Sequence, residues 1–277
     1  MVSAGASSGN GPLARTPSPE DGALPPVRGV VPAAGLARVR VNYFYVVYAD
    51  KIKFNTNYSK FVLREWIKGC ESEEVIRSFI NKHKVVIAKP INGTKGGGIK
   101  FLDEKSISEM KNCLNNYIIE EVIKNHNNIY SISSSSLNTL RVVTILDKNK
   151  RLHFIRAIIR FGLNDSKVDN LTRGGCACVI DIDTGRIISD GLTLNGSIIK
   201  RHPKSGIDFM GFQIPMWEDV KRTITEASLI DATIRYMGWD VAILDDHVEL
   251  IEGNTVPGVH LTQCDKIGVY KKVKTLI

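Results

Sequence analysis

The pattern of apolar and polar positions predicts a chain that combines short buried strands with few helices. KVVIAKP at 84–90 and YIIEEVI at 117–123 are short apolar runs of the length typical of strands. The runs at 138–147 and 151–162 flank a DKNK turn, which predicts a long antiparallel hairpin. Apolar residues recur every three or four positions over 217–237, which predicts an amphipathic helix. The pattern as a whole indicates the α+β class with mostly antiparallel sheets.

The segment 238–254, GWDVAILDDHVELIEGN, predicts a β-hairpin that gathers oxygen-bearing side chains. If 245–247 form a three-residue loop, Asp240 lies opposite Glu252, and Asn254 shares their face. Two carboxylates at this distance repel each other unless one is protonated or a cation lies between them. An all-oxygen set with room for water suits Mg²⁺. The alternative interpretation is the exposed polar face of an amphipathic hairpin.

A glycine-rich loop follows the strand at 84–90. Its glycines allow positive φ, and their successive N–H groups can form an anion-binding concavity. Lys89, at the end of the preceding strand, would add a positive charge beside a bound phosphate. The loop matches neither GxxxxGK[ST] nor GxGxxG, so a merely flexible loop is the alternative. The glycines are Gly93, Gly96, Gly97 and Gly98.

Composition and charge narrow the functional classes. The chain has 277 residues, of which 43% are hydrophobic and 24% charged, as in an ordinary globular protein of one large domain or two lobes. No apolar run is long enough for a membrane span, and no secretory signal is visible, so we expect a cytoplasmic protein. Five scattered cysteines without a CxxC pair argue against a disulfide framework or structural zinc. The net charge of +8 favours anionic ligands, but no basic block with interleaved aromatics indicates nucleic acid. The oligomeric state stays open.

The composition changes abruptly near residue 41. Residues 1–41 contain six of the ten prolines and no lysine, which predicts a disordered segment. Because this segment is so unlike the rest, we expect a leader or a non-native extension. Residues 42–83 then form a partial N-terminal region, and residues 84–277 form the main domain.

Taken together, these features resemble the ATP-grasp superfamily, and more closely its group associated with sugar transfer and surface-polysaccharide gene clusters. The resemblance covers residues 84–264 and implies an ATP-grasp fold, in which two α+β lobes with largely antiparallel sheets hold ATP between them. It rests on EEVIKNH at 120–126, SLNTLRVVT at 136–144, VDN…GG at 168–175, HPKSGIDFMGFQIPMW at 202–217 and GWDVAI…LIEGNTVPG ending at Gly258.

The resemblance implies a nucleotide site on the first part of the domain. Lys89 would contact the ATP phosphates while the loop from Thr94 to Gly98 closes over them. The adenine would lie against the strand at 118–123, with a polar contact from one of its two glutamates. The family often has a second phosphate-contacting lysine; Lys60 is available, but nothing in the sequence identifies it. The cofactor-binding residues implied are Lys89, Thr94, Gly96, Gly97, Gly98, Glu120, Glu121, Val122 and Ile123.

The resemblance also implies a metal site and a reaction. Asp240, Glu252 and Asn254 would hold one or two Mg²⁺ ions, and Arg141 and Arg160 would stabilise the transferred phosphoryl group or an acyl phosphate. The expected enzyme joins a small-molecule or sugar-linked carboxylate to an amine, using ATP, in cell-surface polysaccharide or related biosynthesis. The alternatives are an ATP-dependent kinase on the same fold and a catalytically idle binding protein.

Overall fold

Two antiparallel β-sheets form the framework of the protein. The computed structural model describes residues 50–93, 97–106, 113–164, 174–255, 257 and 267–276. The segment 1–41, predicted to be a leader or extension, lies outside the described residues. Helices lie at Lys51–Asn57 (α1), Glu73–His83 (α2), Asn127–Ile132 (α3), Trp217–Ser228 (α4) and Tyr270–Lys274 (α5).

The smaller sheet carries the strand lysine and the glycine loop. Its strands are β1 (Trp66–Lys68), β2 (Val86–Pro90), β3 (Lys100–Leu102) and β4 (Tyr117–Glu121), in the order β1-β4-β2-β3. All of these pairings are antiparallel. Because β1 pairs with β4, the domain boundary predicted at residue 84 falls inside this sheet.

Helix α2 covers the smaller sheet and forms its core. The Ser72 hydroxyl accepts a hydrogen bond from the Val75 N–H, which caps the first turn. Acidic residues lie in the first turn and basic residues in the last, as the helix dipole favours. The core of this lobe consists of Ile76, Phe79, Ile80, Val86, Ala88, Leu102, Leu114 and Ile119.

The larger sheet has seven strands and contains the acidic hairpin. The strands are β5 (Leu140–Leu146), β6 (Leu152–Gly162), β7 (Gly175–Ile180), β8 (Gly191–Thr193), β9 (Ile198–Ile199), β10 (Tyr236–Ile243) and β11 (Val248–Asn254). Their order is β11-β10-β5-β6-β7-β8-β9. The predicted β5–β6 hairpin is confirmed, and so is the α+β class with antiparallel sheets. None of the described helices is long and apolar enough to cross a membrane.

The helix predicted over 217–237 is shorter than its sequence pattern suggested. Helix α4 ends at Ser228, and the next two apolar residues, Leu229 and Ile230, are exposed. Met237 is buried because it belongs to β10, not because it continues the helix. The apolar residues after Ser228 therefore keep a spacing of three or four positions although they do not belong to the helix.

Candidate functional site

The β10–β11 hairpin brings the three predicted metal ligands together. Asp240 pairs with Glu252, and Gly238 pairs with Asn254. Directly opposed residues of an antiparallel pair point to the same face, as do residues two apart on one strand. Asp240, Glu252 and Asn254 therefore share one face of the sheet, as the sequence predicted.

The loop length and strand pairing that produce this register differ from the predicted ones. Ile243 pairs with Val248, so the loop has four residues rather than three. The pairing then shifts between Asp240 and Val241, which makes Ile251 the extra residue of a β-bulge. The bulge compensates for the longer loop, and the predicted pairing of Asp240 with Glu252 is restored.

Asp240 is buried between the two arginines that the sequence singled out. Arg141 donates to both carboxylate oxygens, with Nη2 lying 2.9 Å from Oδ2, and Arg160 Nη2 lies 3.1 Å from the same oxygen. Arg141 faces Asp240 directly across the β5–β10 pair. Burial raises the pKa of Asp240, but the charges of Arg141 and Arg160 outweigh it, and the pKa is lowered overall. Asp240 is therefore ionised at neutral pH.

Gly238 makes room for this arrangement. A Cβ atom at Gly238 would lie 3.2 Å from Arg141 Cδ and 2.6 Å from Pro257 Cβ. Both distances are shorter than ordinary van der Waals contact. The absence of a side chain at Gly238 thus lets the aliphatic part of Arg141 pass across β10 on its way to Asp240.

Lys89 is bound to a glutamate of the neighbouring strand. Ile87 pairs with Glu120, so Lys89, two residues further along, lies diagonally across from Glu120 on the same face. Lys89 Nζ lies 2.5 Å from Glu120 Oε2. Burial raises the pKa of Glu120, but Arg64 and Lys89 outweigh this effect and lower it well below the usual range.

The two glutamates of β4 face opposite ways, and both are engaged in contacts within the protein. The buried Glu120 carboxylate accepts hydrogen bonds from Asn55, Arg64 and Lys89. The polar contact to the adenine suggested from the sequence for Glu120 or Glu121 stays a prediction. Glu121 Oε2 lies 3.3 Å from His83 Nδ1 on helix α2.

The backbone after β4 contains the remaining predicted adenine contacts. The N–H group of Glu121 donates to the carbonyl of Glu65, so that N–H group is already satisfied. Val122 and Ile123 lie beyond the end of the strand. Val122 is exposed, whereas Ile123 is half-buried.

The glycine loop is described only at its two ends. Gly98 has φ +72°, and a Cβ atom there would lie 2.8 Å from Pro90 Cγ. This position therefore needs glycine for both its backbone conformation and its close packing. Gly97 lies in the same turn. Thr94 and Gly96 lie outside the described residues.

Lys51 is a candidate site residue that the sequence did not indicate. Asp50 caps helix α1 by accepting from the N–H groups of Ile52 and Lys53, which fixes Lys51 at the start of the helix. Lys51 Nζ donates to the carbonyl of Gly93 at 2.6 Å. Lys60, the lysine considered from the sequence, is instead exposed and pairs with Glu226 on α4.

The pKa of Lys51 is shifted by charged groups on both sheets. Burial lowers the pKa of Lys51, and the attraction of Glu252 only partly opposes this effect, while Lys89 lowers it further. One lysine thus interacts both with the acidic strand β11 and with the lysine strand β2. Nothing near Lys51 in the sequence signals this, because Gly93 is 42 residues away.

The donor set at the hairpin fits Mg²⁺ that arrives with phosphate. The described residues contain no cluster of three or more His, Cys, Asp or Glu side chains that could hold a metal ion alone. Arg141 and Arg160 already use much of the hydrogen-bonding capacity of the Asp240 carboxylate. Asn254 Nδ2 is buried and finds no partner in the described part of the chain, so this N–H donor is free for a phosphate oxygen, whereas the amide oxygen is the atom that could bind a metal ion. Mg²⁺ is commonly held by one or two carboxylates together with substrate phosphates.

Comparison with known proteins identifies the family and the fold. A family model described as sugar-transfer associated ATP-grasp matches residues 40–276. No curated protein gives a significant match. The ATP-grasp ligase PsnB complexed with minimal precursor has 14% identity and a TM-score of 0.52, over 84% of this chain and 62% of that one. PsnB complexed with minimal precursor, Mg and ADP has 14% identity and a TM-score of 0.51, over 84% of this chain and 59% of that one.

A third solved structure extends the likeness. N5-carboxyaminoimidazole synthetase from Staphylococcus aureus, complexed with ADP, has 10% identity and a TM-score of 0.50, over 76% of this chain and 46% of that one. The present chain spans 62% of PsnB or less, which is under two thirds of its length. At these identities the likeness shows a shared fold, with two α+β lobes built on antiparallel sheets. With the match over residues 40–276, the chain belongs to the sugar-transfer associated ATP-grasp family.

Proposed function

We propose that this protein is an ATP- and Mg²⁺-dependent ligase that joins a carboxylate to an amine through an acyl phosphate. The observation that carries this proposal is the position of Lys51. Its amino group contacts the start of the glycine loop and interacts with both Lys89 and Glu252. This position supports a site in which the phosphate-binding and metal-binding residues face a common space between the two sheets.

In this proposal the triphosphate lies among Lys51, Lys89 and the glycine loop. The lysines neutralise phosphate charge, and the N–H groups around Gly97 and Gly98 cover the phosphates. The adenine lies on the backbone between Glu121 and Ile123. Glu120 holds the Lys89 side chain in place, which supports a role in positioning rather than a direct contact with the base.

Asp240, Glu252 and Asn254 would hold Mg²⁺, which supplies charge neutralisation for the β- and γ-phosphates. Arg141 and Arg160 sit beside Asp240. Guanidinium groups there can stabilise negative charge on the phosphoryl group as it moves. They also balance Asp240, so that the site acquires its full negative charge only with the nucleotide.

The chemistry needs no covalent protein nucleophile. A substrate carboxylate oxygen attacks the γ-phosphorus, and ADP leaves. The lone pair of a neutral amine then attacks the acyl carbon, the bond from that carbon to the phosphate oxygen breaks, phosphate leaves with the bonding electrons, and the nitrogen loses one proton to give the amide. The sugar-transfer association of the family supports substrates from cell-surface polysaccharide biosynthesis in the cytoplasm, with a small-molecule or sugar-linked carboxylate and amine.

Trapping the acyl phosphate with hydroxylamine tests this function without knowledge of the amine. Purified protein is incubated with Mg-ATP, hydroxylamine and a panel of amino acids and sugar acids, and both ADP and hydroxamate are measured. We expect one class of carboxylate to give ADP and hydroxamate in equal amounts. An Asp240→Asn/Glu252→Gln variant should give neither, whereas Glu218→Gln, at an exposed side chain, should behave as wild type.

Two results would overturn the proposal. ADP release with a stable phosphorylated alcohol and no hydroxamate would indicate a kinase. An absence of any Mg-ATP binding by calorimetry would indicate an idle relative, because the nucleotide step precedes every later one.

A further inference from the structure

Arg64 lies at the junction of the elements that carry the site, although it is not part of the site itself. Its side chain is 2% exposed and contacts groups on α1, β4 and β11. Nη2 lies 3.0 Å from Glu120 Oε1 and 3.3 Å from Asn55 Oδ1. Nη1 lies 2.6 Å from Glu249 Oε1.

These contacts form a buried chain of alternating charge. Lys89 pairs with Glu120, Glu120 with Arg64, and Arg64 with Glu249. Asn55 reinforces the middle of the chain, since its Nδ2 donates to Glu120 at 3.0 Å. Charges this deeply buried are tolerated only when each has an opposite neighbour and well-aligned hydrogen bonds. The geometry of Lys89 is therefore fixed through Glu120 by Arg64.

Arg64 also holds the bulge that sets the register of the acidic hairpin. Nη1 donates to the carbonyl of Leu250 at 2.8 Å, and Nη2 lies 3.4 Å from the carbonyl of Ile251. Ile251 is the extra residue of the bulge, and Glu252 follows it directly. A bulge leaves the backbone groups of its extra residue outside the regular ladder, and Arg64 Nη2 reaches the carbonyl of Ile251 there, while Nη1 binds Leu250 on the edge strand β11.

We propose that Arg64 is a positioning residue that sets the distance between the phosphate-binding lysine and the metal-binding acid. It does so through Glu120 on one side and through the β11 bulge on the other. This inference rests on the proposed nucleotide site. Lysine cannot replace arginine here, because a single ammonium group cannot span Glu120, Glu249 and two carbonyls in the planar geometry of a guanidinium.

The test compares Arg64→Lys with Arg235→Lys. Arg235 is the control because its half-buried side chain also donates to two backbone carbonyls, those of Leu146 and Leu276, at the start of β10 and five residues before Asp240. Circular dichroism establishes that each variant is folded. Calorimetry then gives the Kd for Mg-ATP, and a titration at fixed ATP gives the Mg²⁺ concentration for half-maximal binding.

We expect Arg64→Lys to raise both constants by about tenfold or more, and Arg235→Lys to change neither by more than about twofold. A residue needed only for stability would not move the Mg²⁺ midpoint of the folded protein. If Arg64→Lys does not fold, Asn55→Ala removes the uncharged support of Glu120, and we expect it to raise the Kd by about threefold.

The outcomes separate the two proposals. Wild type that fails to bind Mg-ATP would overturn the proposed function together with this inference. Wild type that binds, with both constants unchanged in folded Arg64→Lys, would overturn the role of Arg64 alone. If Arg64→Lys does not fold, an unchanged Kd for Mg-ATP in Asn55→Ala would overturn the role of Arg64.

Discussion

The amino group of Lys51 lies 2.6 Å from the carbonyl oxygen of Gly93 and interacts electrostatically with Glu252. The hydrogen bond ties helix α1 to the start of the glycine loop on the smaller sheet. Burial lowers the pKa of Lys51, and Glu252 on β11 of the larger sheet is near enough to oppose this effect by raising it. Lys51 has no negatively charged partner in direct contact among the ion pairs of the described residues. Its charge is thus held in place and available to an anion that enters between the sheets.

We predict that Lys51→Met weakens Mg-ATP binding by about 10- to 100-fold, which corresponds to the loss of about 1.5–3 kcal/mol from one charged hydrogen bond. Calorimetric titration measures the change. Lys60→Met is the matched control, because Lys60 carries the same charge in an exposed ion pair with Glu226 and should bind as wild type. Equal affinities in Lys51→Met and wild type would contradict the placement of the phosphates.

Metal binding should depend on the nucleotide. Asp240 and Glu252 contribute two negative charges, whereas Arg141, Arg160 and Lys51 contribute three positive ones, so bare Mg²⁺ meets no net negative site. We expect millimolar Mg²⁺ alone to leave the melting temperature unchanged, and Mg²⁺ with ATP to raise it by several degrees through binding to the folded state. A shift with Mg²⁺ alone that Asp240→Asn abolishes would contradict this charge argument.

The acid sensitivity of folding should depend on Glu120. Its pKa is lowered in the folded state, so the unfolded state binds the proton more readily. The stabilisation is therefore fully present above the unfolded pKa of about 4.3 and is lost as the pH falls below it. Urea unfolding from neutral to acidic pH measures this loss.

Glu120→Gln tests the same group directly. We expect it to lower the free energy of unfolding by about 3 kcal/mol at neutral pH, because Arg64 and Lys89 lose a buried counter-charge. The variant should also depend less on pH below about pH 4. Glu218→Gln, whose side chain is 77% exposed, should retain the wild-type profile. An unchanged acid profile in Glu120→Gln would contradict the buried network.

The sequence predicted the contents of the acidic hairpin better than its geometry. The pairing of Asp240 with Glu252 followed from a three-residue loop, yet the actual loop is one residue longer and the bulge at Ile251 compensates. Ile251 is an ordinary strand-forming residue, so nothing in the sequence marks the bulge. Its supporting donor, Arg64, is 187 residues away.

The smaller sheet shows the same limit. Strand alternation predicts that Glu120 and Glu121 face opposite ways, but it cannot determine which one points inward. That outcome depends on Arg64, 56 residues away, which provides a buried positive charge for Glu120. Local pattern thus predicts elements and their faces, whereas long-range charge pairs decide which side chains remain available to a ligand.

Gly238→Ala should disturb Arg141 without introducing a new charge. The added methyl group would meet Pro257 at 2.6 Å and Arg141 at 3.2 Å, and overpacking of this kind costs about 1–3 kcal/mol of stability. Because Arg141 must move away from Asp240, we also expect Mg-ATP affinity to fall by about tenfold.

Gly191→Ala on β8 is the control, since its methyl group would meet Cys176 and Phe209 at 2.9 and 3.0 Å, far along the sheet from β10. Urea unfolding and calorimetry on both variants should therefore show similar losses of stability, with a loss of affinity in Gly238→Ala alone. Equal affinities in the two variants would mean that the path of Arg141 across Gly238 does not matter for nucleotide binding.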